Sequence, residues 1–335
     1  MKKINIGIIS PSEIAFRRFM PALDLTDRFN FVGIAISNSD EWNGDLTEEL
    51  RNSEIGKAKR FTDIYGGKIF GSYSELITSS EVDAIYLPLP PGLHYEWGKK
   101  CLENKKHLFI EKPSTTSFSD TKELIELSIK NNVAIHENYM FIYHEQINQI
   151  DKLINSDSIG EIRLIKADFC FPRRQQNDFR YNKSLGGGSL LDCGGYPIKL
   201  LTHYMGNDIE NVCGNLIYEN DIDLYGAAQF IGNNIIGQIS FGMDNAYKCK
   251  LEIIGNKGII KTDRVFSAPN DLICNINIID LKNNVKNLEV KPDDTFKKSL
   301  IVFSDLICNV TTRNKEYESM LLQSKLVDDL YKAGK

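Results

Sequence analysis

The sequence predicts an α/β protein, with an N-terminal doubly wound parallel sheet followed by an α+β domain on a large, open, mostly antiparallel sheet. Three observations carry this. The chain has 335 residues, more than one hydrophobic core usually serves. Its first third alternates strand-like and helix-like segments. Its later part strings strand-like runs together through turns such as Gly232-Asn233-Asn234, the habit of hairpins.

In chain order, residues 4–9 form an apolar strand and 13–25 carry helical periodicity. Strands are expected at 31–36, 68–70, 84–87, at 108–110 ending on Glu111, and at 133–135. Helices are expected at 74–78, 93–104 and 118–131, while 37–56 is polar loop plus part of a helix. This half is Rossmann-like. We place domain one at 1–136 and domain two at 137–335, the last helix being free to pack back on the first. In the second half, helix is expected at 147–153 and 317–332, and strand at 163–170, 215–218, 224–231, 235–241, 249–254 and 274–279.

Composition narrows the function. Apolar residues make up 42% and charged residues 25% of the chain, with a net charge of -5, which is ordinary soluble globular composition and argues against nucleic acid as a partner. No signal-like or membrane-spanning run is present, so the cytoplasm is expected. Seven cysteines and five histidines show neither CxxC pairing nor helical ligand spacing. The cysteines are expected to be buried free thiols, and no metal is expected.

The residues that carry chemistry begin at Phe109-Ile110-Glu111-Lys112-Pro113. An apolar strand ends there on two opposite charges, and ligands of open α/β sheets bind at such carboxyl ends. Proline restricts the residue before it and so aims Lys112. Between the first strand and helix a dinucleotide fold carries G-x-G-x-x-G, but this chain has Ser10-Pro11-Ser12-Glu13-Ile14-Ala15. Pro11 removes one N–H donor, and Glu13 sets a negative charge near a phosphate. On this loop alone an ordinary strand-helix turn is the better reading. Strand two ends at Ser37-Asn38-Ser39, without the acid that grips the ribose of NAD. NADP is therefore preferred and NAD possible.

Gly7-Ile8-Ile9, the run Ile14-Ala15-Phe16-Arg17-Arg18-Phe19-Met20-Pro21-Ala22-Leu23, Tyr86-Leu87-Pro88-Leu89-Pro90, Leu93-His94-Tyr95-Glu96-Trp97 and Glu111-Lys112-Pro113 occur in that order. They are followed by 137–146 (ENYMFIYHEQ), Asp178-Phe179-Arg180-Tyr181 and 185–196 (LGGGSLLDCGGY). Together they resemble the Gfo/Idh/MocA oxidoreductases, most nearly the NADP-dependent branch that acts on nucleotide-linked keto-deoxysugars at carbon 3. The resemblance runs nearly continuously to about Gly206. It implies catalysis by Lys112 and Tyr196, with Lys112, Tyr181, Asp192 and Tyr196 at the substrate. It implies cofactor contacts from Ser10, Ser12, Ile14, Ser37, Asn38, Leu87, Pro88, Leu89, His94, Glu111, Lys112 and Arg180. It also implies a homodimer or homotetramer formed through the second domain's sheet.

Chemistry supports the same roles. Reducing a ketone with a nicotinamide hydride leaves an alkoxide that needs an acid nearby. A tyrosine titrates at about 10, and a neighbouring ammonium favours its phenolate. Asp192 and Tyr196 are four apart and share a face if helical. Gly194 and Gly195 between them are costly in a helix, which points to backbone pressed against a ligand or another element. Arg173, Arg174 and Arg180 form a cationic cluster suited to phosphate. A nucleotide-linked keto sugar is the leading substrate. Dehydrogenation of an aldose or cyclic diol is the rival within the class, and a non-catalytic sensor or scaffold is the rival outside it.

Overall fold

A computed structural model of the chain describes residues 2–42 and 44–334; Met1, Lys335 and Asn43, the last within the polar stretch 37–56, lie outside the described residues. The chain divides into two compact units, residues 1–138 with 296–318, and residues 139–295 with 319–335.

Unit one holds β1 (Ile4–Ile9), α1 (Met20–Asp24), β2 (Phe29–Ala35), α2 (Glu48–Tyr65), β3 (Lys68–Phe70), α3 (Tyr73–Thr78), β4 (Ala84–Leu87), α4 (Pro91–Glu103), β5 (His107–Glu111), α5 (Phe118–Lys130) and β6 (Ile135–Asn138). The strands form one parallel sheet in the order β3-β2-β1-β4-β5-β6, so the winding reverses between β1 and β4. That reversal opens a crevice at the carboxyl ends of the strands. The helices start where the sequence supplies a cap. Thr47, Ser72 and Ser117 accept the N–H groups of Leu50, Glu75 and Asp120 at 3.2, 3.0 and 3.1 Å, and Pro91 opens α4. α2 was only partly legible because it buries just Glu54, Ala58 and Phe61. The sheet core is aromatic: Phe19 stacks on Tyr86 at 3.9 Å, and both meet Phe109 edge-on.

Two histidines in this unit are held neutral by burial, His94 and His107, each with its pKa lowered to about 4. For His107 the Arg313 charge adds to burial, and its Nδ1 accepts the Ala134 N–H at 2.9 Å, which requires a lone pair there. The unfolded chain protonates histidine near 6.5. Stability contributed by the neutral rings is therefore complete above about pH 6.5 and is lost as pH falls toward 4. Urea unfolding at pH 7.5 and pH 5 is expected to differ by about 2–4 kcal/mol, and His107→Gln to reduce that difference. Equal stabilities at the two pH values would count against it.

Unit two opens with α6 (Glu145–Asn155) and β7 (Ile162–Cys170), then α7 (Gly195–Met205). Seven strands follow: β8 (Glu210–Glu219), β9 (Ile222–Gly232), β10 (Ile235–Gly242), β11 (Lys248–Gly255), β12 (Gly258–Asp263), β13 (Cys274–Asp280) and β14 (Val285–Val290). They form one eight-stranded sheet, β14-β13-β12-β11-β7-β10-β9-β8, in which only β7 and β10 pair in parallel. Its inner face packs with α6 and α7 around Ile165, Ala167, Phe230, Leu251 and Ile260. Two helices end the chain, α8 (Thr295–Cys308) and α9 (Val310–Ala333). The division between units falls within α9, after Glu318.

The expectation missed β12, β14 and α8. β14 reads VKNLEV and buries little beyond Val290, so it carries no alternation to detect. α8 does have apolar periodicity, and Phe296, Leu300, Phe303 and Leu306 are buried. Phe303 meets Phe109 at 5.4 Å and Phe29 at 6.1 Å, which places α8 on the unit-one sheet. The thiols also need correction: all seven are free, but Cys213 and Cys308 are exposed.

Candidate active site

After Ile9 the chain turns at Ser10, which adopts the left-handed conformation with φ +70°. For a non-glycine residue this costs about 1 kcal/mol. Ser10 N–H donates to Ala35 O at 3.0 Å, and Ser12 N–H returns to Ser10 O at 3.0 Å. Ser12 Oγ accepts the Ala15 N–H at 3.2 Å, capping a first turn that is π-wound over Ala15–Phe19. Such turns concentrate at functional sites. Glu13 does not present a bare charge, because Arg60 Nη1 lies 3.1 Å from it and also covers the Phe16 ring. Ile14 is exposed at the head of the turn.

At the end of β2, Ser37 is buried and its Oγ makes no hydrogen bond of good geometry. The Tyr73 hydroxyl lies near both Ser37 and Ser10, and burial pushes the tyrosine up to about 12 despite them. Three hydroxyls thus gather where a glycine-rich turn normally offers backbone. A buried hydroxyl with bonding capacity left over fits the ribose or phosphate of a dinucleotide. Asn38 Oδ1 accepts the N–H groups of Asp40 and Glu41 at 3.0 Å each, an Asx turn. Glu41 then locks the loop, accepting from Tyr73 N–H, Ser74 N–H and Ser74 Oγ at 2.7–2.8 Å. Sequence reasoning missed Tyr73 and Glu41, since their partners lie some 30 residues away.

Leu87 closes β4, and it is buried together with Pro88 and Leu89 just beyond the strand. His94 is fully buried, its Nδ1 2.8 Å from Pro113 O and its Nε2 2.7 Å from Leu89 O. Both ring nitrogens face main-chain carbonyls, of which the neutral ring donates to one, so neither nitrogen is presented to a ligand. Beside it the chain passes Glu111 and Lys112, with Lys112-Pro113 in the cis form. Glu111 Oε1 accepts from Tyr86 Oη at 2.7 Å and Asn138 Nδ2 at 2.8 Å. Burial raises the Glu111 pKa, while those two donors and Lys112 oppose the rise.

In unit two, residues Leu190–Gly194 are π-wound and run directly into α7. Asp192 lies in the π segment and Tyr196 in the first turn of α7. The Tyr196 ring sits in an aromatic box, 5.4 Å from Tyr139, 5.6 Å from Phe141, 5.1 Å from Phe169 and 6.0 Å from Phe266. The glycines are explained by close approach: a Cβ on Gly195 would stand 2.1 Å from Tyr139 Oη, and one on Gly194 2.8 Å from a Leu190 methyl. For Gly195 the pressing partner is Tyr139, from elsewhere in the same unit, and for Gly194 it is Leu190 of the π-wound segment itself.

Asp223, also missed, fastens the start of this segment. Its carboxylate accepts Leu190 N–H at 2.6 Å, Ser189 Oγ at 2.9 Å and Tyr331 Oη at 3.2 Å. Burial raises its pKa against those three donors. Arg180 Nε donates to Asp192 at 2.6 Å and its Nη1 lies 3.1 Å from Asp178. Burial disfavours the Arg180 charge, but the two carboxylates outweigh it and hold the guanidinium protonated. Arg180 thus faces carboxylates. Arg173 pairs with Glu219, and the Arg174 guanidinium lies over the Phe171 ring at 5.0 Å. Tyr181 Oη accepts the Arg174 N–H at 2.9 Å. Among the described residues no cluster of His, Cys, Asp or Glu could hold a metal, and no helix is long and apolar enough to cross a membrane.

A parallel sheet reversing between its central strands, a hydroxyl-lined turn after the first strand and an acid-lysine pair closing the fifth define a dinucleotide-dependent oxidoreductase. Residues 6–139 match the model of the oxidoreductase family with an NAD-binding Rossmann fold, and residues 147–261 match the GFO/IDH/MocA C-terminal domain. The chain belongs to the Gfo/Idh/MocA family of NAD(P)-dependent oxidoreductases. It is 32% identical over 328 residues to dTDP-3,4-didehydro-2,6-dideoxy-alpha-D-glucose 3-reductase of Actinomadura kijaniata, covering 97% of this chain and 94% of that one. It is 30% identical over 341 residues to the enzyme of the same name from Saccharopolyspora spinosa, covering 99% and 98%. Among solved structures, KijD10, a 3-ketoreductase from Actinomadura kijaniata in complex with NADP and TDP-benzene, superposes with a TM-score of 0.90 at 31% identity over 100% of this chain and 98% of that one.

Proposed function

We propose that this oxidoreductase uses NADPH to reduce the keto group of a nucleotide-linked deoxysugar, with Tyr196 as the proton donor and Lys112 as the cation that polarises the carbonyl. The observation that carries the reading is full-length similarity to 3-reductases of dTDP-linked sugars; the roles of Lys112 and Tyr196 are those the family resemblance implies. The dinucleotide supplies a hydride when bound. The chain's residues do the rest. Ser10, Ser12, Ser37 and Asn38 receive the cofactor's phosphate and ribose groups, and the lack of an acid at the end of β2 leaves a 2′-phosphate unopposed. Glu111 sets a negative charge beside Lys112, Arg180 orients Asp192 toward the sugar, and the aromatic box keeps the Tyr196 ring from rotating away.

The experiment is a titration with NADPH and NADH followed by nicotinamide fluorescence, then turnover with dTDP-3,4-didehydro-2,6-dideoxy-D-glucose. Tighter NADPH binding and turnover of that sugar are expected. Turnover only of free aldoses would favour the dehydrogenase reading, and no binding of either cofactor a sensor or scaffold.

The same reading includes assembly of copies through the outer face of the eight-stranded sheet. Strand register sets Ile231, Ile236, Leu164, Ile254, Ile259 and Ile279 in one unbroken row, each paired to the next. A polar row, Gln229, Gln238, Lys166, Glu252, Lys261 and Asn277, runs beside it. A twofold axis lays such a banded surface on its own copy. The double change Ile236→Lys and Ile254→Lys is expected to shift the protein to monomer by light scattering, with its melting temperature nearly unchanged. An unaltered oligomer would argue for another interface.

A further inference from the structure

The Glu111 carboxylate is the near end of a buried hydrogen-bond chain that enters from the C-terminal helices. Asn138 Nδ2 donates to Glu111 at 2.8 Å, and Ser299 Oγ donates to Asn138 Oδ1 at 2.8 Å. His136 Nε2 lies 2.9 Å from Ser299 Oγ, and His136 Nδ1 lies 2.7 Å from Glu316 Oε1. Tyr86, Asn138, Ser299 and His136 are fully buried, and Glu316 at the far end is 15% exposed. All of these residues belong to unit one.

The directions from His136 Nε2 to Glu111 are forced. An amide oxygen only accepts, so the single Ser299 proton goes to Asn138 Oδ1. Ser299 must then accept from His136 Nε2–H. The same bond holds the Asn138 amide with its NH2 toward Glu111, because the flipped amide would set an oxygen against a carboxylate. The opposite ring nitrogen faces the Glu316 carboxyl, which fixes the ring plane. Ser299 and Glu316 lie on α8 and α9, outside the residues that either family model matches.

We infer that Ser299 and His136 are positioning residues for the reaction: through Asn138 they hold the Glu111 carboxylate ionised and aimed, and so set the charge beside Lys112. The inference rests on the role proposed for Lys112. Burial pushes Glu111 toward its neutral form, and the donors Tyr86 and Asn138, with Lys112, counter it. The titratable groups facing this site are Tyr86 from β4, Lys112 from the β5 end, His94 from α4, and the His136–Glu316 pair. Without the Ser299 hydroxyl, the Asn138 amide is no longer held, Glu111 loses a donor, and its carboxyl takes up a proton more readily. A structural role alone would lower stability and leave the pH profile in place.

The test compares the pH dependence of kcat/KM for dTDP-3,4-didehydro-2,6-dideoxy-D-glucose, with NADPH saturating, in the full-length protein and its Ser299→Ala, Ser299→Thr and Lys112→Ala variants. Ser299→Ala is expected to move the acid limb up by about one pH unit and to lower kcat about tenfold near neutrality. Ser299→Thr, which keeps the hydroxyl, is expected to restore both. If Ser299→Ala does not fold, Ser299→Cys, with a weaker donor of nearly the same shape, is expected to give a smaller shift in the same direction. An unmoved acid limb in a folded Ser299 variant, with Lys112→Ala inactive, overturns the inference and leaves the role of Lys112 standing. Full turnover by Lys112→Ala removes that role, and the inference with it.

Discussion

Tyr196→Phe is expected to lower kcat by about 10²–10⁴-fold, the usual worth of a positioned general acid, while NADPH binds as before. The expectation follows from the role proposed for the hydroxyl and from what surrounds the ring. Four aromatic neighbours fix the Tyr196 ring, and phenylalanine fills the same box, so the substitution removes one oxygen and little packing. The loss of one hydroxyl leaves the residues proposed to receive the cofactor, Ser10, Ser12, Ser37 and Asn38, unchanged, so NADPH affinity should be insensitive to it. Stopped-flow turnover and fluorescence titration on the same preparation separate the two quantities. Near-normal turnover by a folded Tyr196→Phe protein would end the assignment of the acid.

Lys112→Ala is expected to lower turnover by about 10²–10³-fold, as loss of a preorganised charge at a developing oxyanion does, and unlike Tyr196→Phe to weaken NADPH binding as well. Glu111 precedes Lys112 at the end of β5, held from two sides by Tyr86 and Asn138. Removing the ammonium leaves that buried carboxylate without its compensating charge. Lys112→Arg keeps the charge but changes reach and shape, so partial recovery of NADPH affinity without recovery of kcat is the expected pattern. Full recovery of both would show that charge alone matters at this position. Unchanged affinity in Lys112→Ala would show that Glu111 is neutral in the resting protein.

Much of this was legible along the chain. The apolar runs of β1, β4 and β5 and the acid-lysine-proline turn are local patterns, and local patterns survive in sequence. Periodicity marks strands only where one face is buried and the other is not. It therefore revealed β9 and β10, and it failed for β14, which buries little beyond Val290. The cost placed on Gly194 and Gly195 was a sound signal of close approach, but only the fold shows that Tyr139 makes it.

What the sequence by itself determined is the alternation of strands and helices in the first half, the parallel sheet with its crevice, and the identity of the residues at its strand ends. What only the tertiary structure decided is the company those residues keep. Glu41 reaches 32 residues ahead to fasten Tyr73, Arg180 is met by the carboxylates of Asp178 and Asp192, and Ser299 reaches Asn138 across 161 positions. Hydrogen bonds between single buried polar atoms leave no periodicity. They exist because folding removes water from those atoms and makes each find a partner in space rather than along the chain.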